Sequence, residues 1–283
     1  MIDFHTHPVL VEEMVIRYPE LEKAAREVFF IGNRLQPLET FLLELDISGL
    51  QRAVLLPLET TRTRGLPIYS NEQIAELVAM APERFVGFAS VDPLAPDAPD
   101  RLERAVADLG LRGLKLSPPS QEFYPGDRAV YPLYERAQAL GIPVIIHAGM
   151  SWEPRARLVW GHPLHLEPVL ADFPHLRIVA THFAWPWSLE VAALALRYPN
   201  LYVDTAALYF DNPDDFITDL LVRRVPLTLI EHSLRHQVVF GSNYPRVEIK
   251  NMARAVRRVG LSEKTLTMVF EENALRLLGD SER

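Results

Sequence analysis

Four of the nine histidines close short apolar runs: His5 and His7 in IDFHTH, His147 in PVIIH and His182 in RIVATH. Side chains two apart on a strand share a face, so His5 and His7 can turn two imidazole nitrogens toward one ion. The chain has no cysteine, which removes disulfides and thiolate ligands. Imidazole and carboxylate remain, a donor set suited to zinc, manganese or iron. One divalent ion is therefore expected, with zinc the first choice, and it would polarise a substrate oxygen or activate water near neutral pH.

Converging these side chains is the task of the strands. Eight β-branched apolar runs recur, at 1–5, 52–57, 85–91, 113–116, 143–147, 177–182, 201–205 and 237–241. Segments of helical period separate them, at 37–45, 70–80, 97–109, 131–140, 163–173, 188–197, 214–223 and 249–259. That alternation predicts an α/β fold with a parallel sheet, and eight repeats close a (β/α)8 TIM barrel. An open doubly wound sheet is the alternative. Gly110, Gly141 and Gly260 each stand where a helix needs a left-handed cap. A long insertion at 8–36 follows the first strand and is expected to form a lid or wall over the barrel top, while 263–278 reads as an extra C-terminal helix. The 283 residues are taken as one domain, 1–283.

In such a barrel the strand ends carry the chemistry, so position within the repeat sorts the histidines. His5, His7, His147 and His182 belong to the catalytic face. His232 and His236 have helical i, i+4 spacing but precede the eighth run, and His175 precedes the sixth; these belong to the opposite, stabilising face. His162 and His165 follow the fifth run, from which His162 is within reach of a bound substrate.

A net charge of -8 argues against a nucleic-acid surface, and no run approaches the roughly 20 apolar residues of a membrane span. With no leader-like start, the chain is assigned to the cytoplasm, with a small molecule as its partner. Homodimers are common for this architecture, so a homodimer is expected.

The motifs DFHTH, RGLKLSP, GIPVIIHAG, FPHLRIVATH, NLYVDTA, FGSNYP and ENALRLLG, in that order, resemble the amidohydrolase superfamily. Within it they resemble the branch containing aminocarboxymuconate semialdehyde decarboxylase and the resorcylate decarboxylases. The resemblance implies that His5, His7 and His147 bind the metal and that His182 orients or deprotonates a metal-bound water. It also implies an Asp at position 243, where this chain has Asn243. An amide oxygen coordinates weakly and cannot act as a base. Replacement bases are His182 in first place, then Asp204, Asp92 and Glu59. Lys115 occupies the place where some superfamily members bridge two metals through a carboxylated lysine; in this branch one metal is the rule, and Lys115 is expected to face substrate carboxylate.

Trp152, Trp185 and Trp187 follow strands five and six, and Arg62 and Arg64 follow strand two. Aromatic walls with a few cations suit a planar, anionic small molecule. The expected activity is therefore a metal-dependent hydrolase acting on a small carboxylated or cyclic compound. Non-oxidative decarboxylation is the alternative, and a catalytically silent ligand-binding barrel, favoured by Asn243, is the third reading.

Overall fold

The computed structural model describes residues 1–208, 210 and 212–280. All eight runs form strands: β1 Ile2–Thr6, β2 Arg52–Leu55, β3 Phe85–Gly87, β4 Leu114–Leu116, β5 Val144–Ile146, β6 Ile178–Ala180, β7 Leu201–Asp204 and β8 Val238–Val239. Most are shorter than the apolar runs, whose end residues leave the ladder, whereas β1 runs one residue past its own. Parallel pairing runs β1-β2-β3 and β4-β5-β6-β7-β8. An Ala89–Leu114 bridge joins β3 to β4. The ring closes where Phe4 N donates to Phe240 O at 2.8 Å and Asn243 N to His5 O at 2.9 Å. This is the barrel, not the open sheet.

Alternation along the strands divides the apolar residues into two layers. Ile2, Phe4, Val54, Leu56, Phe88 and Ile145 are among those filling the barrel, with Leu277 and Leu278 of the last helix packed against them. The other face of each strand packs on the surrounding helices, as Leu114, Leu116, Val144 and Ile146 do. The C-terminal segment thus contributes to the barrel core, which explains why it lies outside the repeat.

Helices form close to the expected places, among them Leu38–Ile47, Asn71–Met80 and Ile249–Arg258. Ser70 caps the second of these through a capping box with Gln73. The segment 163–173 splits into a 3-10 turn Pro163–Leu166 and a helix Glu167–Asp172. The insertion holds two short helices, Glu12–Arg17 and Glu20–Lys23, the second running into a wide turn Ala24–Val28. It lies over the top face, where Val28, Phe29 and Phe30 help to line the cavity described below. No helix among the described residues is long and apolar enough to cross a membrane.

Candidate functional site

A cavity opens at the C-terminal ends of the strands, with His5, His7, His147, His182, Lys115 and Asn243 in its lining. Regular strand alternation does not bring all of them there. Ile2 and Phe4 point into the barrel, so an unbroken β1 would turn His5 away from it. The register of β1 against β2 shifts between Asp3 and Thr6, and this bulge re-aims the side chain. His182 lies at an odd offset from inward-facing Val179 and reaches the cavity through left-handed backbone, with φ at 57°. Gly241 makes room for His5, since a Cβ there would lie 2.8 Å from the His5 Cβ.

Each of the four imidazoles has one nitrogen tied to an acceptor. His7 Nδ1 donates to Leu56 O at 3.0 Å, His182 Nδ1 to Ala206 O at 2.9 Å, and His147 Nε2 to Met150 O at 3.0 Å. His5 Nδ1 donates to Asp204 Oδ2 at 2.7 Å. These anchors fix the tautomers and leave four ring nitrogens as lone-pair donors. His5 Nε2 and His7 Nε2 stand only 3.1 Å apart. Two unprotonated nitrogens facing each other repel, and a cation between them removes the conflict. Their spacing also suits two bonds of roughly 2.1 Å to one ion.

Burial is the main electrostatic force on the cluster. It holds His5, His7 and His182 well below the ordinary imidazole range, with neighbouring imidazoles or Lys115 adding to the effect. His147 is pushed down to about 3 by burial and then by Lys115. Neutral imidazole is the ligand form, so the site is prepared for a metal rather than for protons. Lys115 is itself buried and lowered to about 8 by desolvation, with Asp204 opposing the shift. Asp204 is raised by burial against several stabilising contacts.

His5, His182 and Asp204 each bring a ligand atom to within 4.8 Å of the others, the one such group among the described residues. Both Asp204 oxygens are occupied, however: Oδ2 by His5, and Oδ1 by the His182 N at 2.7 Å and the Ala206 N at 3.1 Å. Asp204 therefore braces the imidazoles and does not line the cavity, in contrast to the place as a replacement base expected from sequence. Asn243, at φ 66°, lines it and donates its Nδ2 to Ala207 O at 2.9 Å, which leaves the amide oxygen as its available ligand atom.

The outer residues are distributed differently from expectation. Trp152 lines the cavity and donates Nε1 to Leu208 O at 3.2 Å. Trp185 instead donates to Asp219 Oδ2 at 3.2 Å, and His162 lies tilted against Trp187 with centroids 4.7 Å apart, both outside the lining. Arg62 pairs with Asp92 at 2.5 Å, and Arg64 with Glu122 and Glu153 at 2.8 Å, so neither guanidinium enters the cavity. Glu59 accepts from the Thr61 N at 2.7 Å, also outside it. Arg246 and Glu153, which sequence reasoning passed over, do line the cavity. Their only sequence signal is position shortly after a strand, which many other charged residues share.

A closed barrel with imidazoles, a buried lysine and an oriented carboxylate at its strand ends defines an enzyme of the TIM-barrel class. A model of the amidohydrolase family matches residues 2–279. The chain is 31% identical over 302 residues to the gamma-resorcylate decarboxylase of a Polaromonas species, covering 92% of this chain and 90% of that protein. Among solved structures, an uncharacterised TIM-barrel protein of Bordetella bronchiseptica superposes with a TM-score of 0.79 at 25% identity, covering 100% of this chain and 99% of that one. A dihydroxybenzoic acid decarboxylase of Polaromonas, solved with bound manganese and the inhibitor 2-nitroresorcinol, has a TM-score of 0.71 at 18% identity and covers 100% and 97% of the two chains. The chain belongs to the amidohydrolase family and is similar to its decarboxylase members.

Proposed function

We propose that the protein is a metal-dependent, non-oxidative decarboxylase of a small carboxylated ring compound, the alternative of the two enzymatic readings above. The observation that carries the reading is the composition of the cavity: four anchored, unprotonated imidazoles beside buried Lys115, with an amide at position 243. Hydrolysis needs a base to take a proton from water; Asn243 cannot be that base, and His182, first in line for the role, is held well below the ordinary imidazole range by burial and is a weak one. Decarboxylation needs the opposite, a donor to the carbon that loses its carboxyl group, and the Lys115 ammonium is such a group. The decarboxylase relative from Polaromonas supports the same choice.

His5, His7 and His147 would hold the ion, with His182 and the Asn243 oxygen adjoining. When bound, the ion supplies Lewis-acid polarisation of a substrate oxygen. Manganese joins zinc as a candidate because the Polaromonas structure carries it. Arg246 and Lys115 would attract the anionic substrate, and Phe29 and Trp152 would shield it from water. The bond from ring carbon to carboxyl carbon breaks with its electron pair left on the ring, Lys115 Nζ gives that carbon a proton, and carbon dioxide leaves. Lys115 then regains a proton from water.

The test is release of carbon dioxide from a panel of hydroxybenzoates by protein stripped with chelator and reloaded with Mn2+ or Zn2+. Metal-dependent release is expected. Turnover of lactones without carbon dioxide would establish hydrolysis instead, and tight ligand binding with no turnover under any condition would leave the silent barrel.

A further inference from the structure

The cavity contains one carboxylate among its described lining residues, Glu153. It comes from the loop after β5, and its side chain is 13% exposed. Arg64 Nε and Nη2 both donate to its Oε2, at 3.1 and 2.8 Å. Ser120 Oγ donates to Oε1 and in turn contacts Ser117 Oγ at 2.8 Å. A carboxylate has about four acceptor sites, so these three donors leave one on Oε1. Charge is also incompletely balanced, because the single Arg64 guanidinium serves Glu122 as well as Glu153. Two carboxylates therefore share one guanidinium here.

The opposing wall has the other sign. Arg246 comes from the loop after β8, three strands round the closed ring from β5, whose loop carries Glu153. Its guanidinium lies 4.9 Å from the Phe29 ring centroid and donates to Phe29 O, which places the cation at the insertion side of the cavity.

We propose that Glu153 determines the charge pattern of the substrate: with Ser120 behind it, it accepts a hydrogen bond from a neutral donor on the ring edge opposite Arg246 and excludes a second carboxylate there. The ligand is then an asymmetric monoanion, with its carboxylate toward the cations and a hydroxyl or amino group toward Glu153. This rests on the reading of the ligand as a carboxylated ring. Specificity arises as much from the repelled competitor as from the accepted partner.

The test compares two probes of one shape, 3-hydroxybenzoate and benzene-1,3-dicarboxylate, by titration calorimetry on the Mn2+-loaded protein at pH 7. The native protein is expected to bind the hydroxy acid at least tenfold more tightly. In Glu153→Gln the amide can donate to a carboxylate, so the two affinities should come within about twofold while the melting temperature stays near native. Equal affinities in the native protein, or undiminished discrimination in Glu153→Gln, would overturn the proposal. The native measurement stands even if the variant folds poorly. Binding is read without turnover, so selective binding with no carbon dioxide release would remove the decarboxylase reading and leave the role of Glu153 intact.

Discussion

Asn243 and Ala207 are locked together: the amide Nδ2 donates to the Ala207 carbonyl at 2.9 Å in a fully buried setting. A carboxylate cannot make that bond, because both groups would be acceptors. The interaction gives Asn a structural role at a position where the resemblance implies Asp.

Asn243→Asp should therefore separate stability from metal binding. Without metal, the variant loses a buried hydrogen bond and sets two oxygens against each other, a loss of about 1–3 kcal/mol visible as a lower melting temperature. With metal, the added negative charge should tighten binding. Metal content by elemental mass spectrometry and melting curves with and without chelator check both halves; a variant as stable as native without metal would refute the first.

Asp204→Asn tests the brace behind His5. The amide keeps the size of the carboxylate but weakens the 2.7 Å bond that fixes the His5 tautomer. Metal affinity should fall about 10–100-fold, the usual effect of losing an orienting carboxylate. Competition with a chelating dye measures it directly.

Lys115 should make anion binding pH-dependent. With its ammonium lowered to about 8 by burial, affinity for a carboxylate ligand is expected to be full below that pH and to fall above it. Lys115→Met should remove this dependence, lower kcat/KM at least about 100-fold, and raise the stability of the ligand-free protein because a buried charge is gone. Binding curves at pH 7 and pH 9.5 decide the matter: an unchanged slope in Lys115→Met would assign the titration to another group.

Acid should destabilise the metal-free protein before the ordinary carboxylate range is reached. The folded imidazoles of His5, His7, His147 and His182 refuse protons that the unfolded chain accepts below about 6.5. Their contribution is complete above that pH and is lost as pH falls, toward about 3 for His147. Asp3 works in the opposite sense, since burial lifts it to about 7 and the folded state keeps a proton the unfolded chain has released. Four groups against Asp3 and Asp204 predict a net drop in melting temperature between pH 7 and pH 5. Scanning calorimetry on chelated protein would expose the reverse trend if the carboxylates dominated.

Much of this molecule could be read in order along the chain. Eight apolar runs separated by helical periods determined the barrel, because burial on one or both faces imposes a periodicity that each segment carries by itself. Strand-end placement picked out His5, His7, His147 and His182 for the same local reason, while Lys115 was singled out by the family resemblance, and all five line the cavity.

Other assignments needed the tertiary structure. The β1 bulge and the left-handed His182 depend on how strands meet, so strict alternation could not foresee how those side chains arrive. The charged loop residues show the limit most clearly. Arg62, Arg64 and Arg246 look equivalent in sequence, each a cation shortly after a strand. Their roles were decided by partners brought from elsewhere: Asp92 is 30 residues from Arg62, and Glu153 is 89 from Arg64. Folding gave Arg62 a carboxylate outside the cavity, tied Arg64 behind Glu153 of its wall, and gave Arg246 a place in its lining. An ion pair across loops depends on the geometry of closure and leaves no periodic trace, so only the closed barrel determined which charges meet substrate.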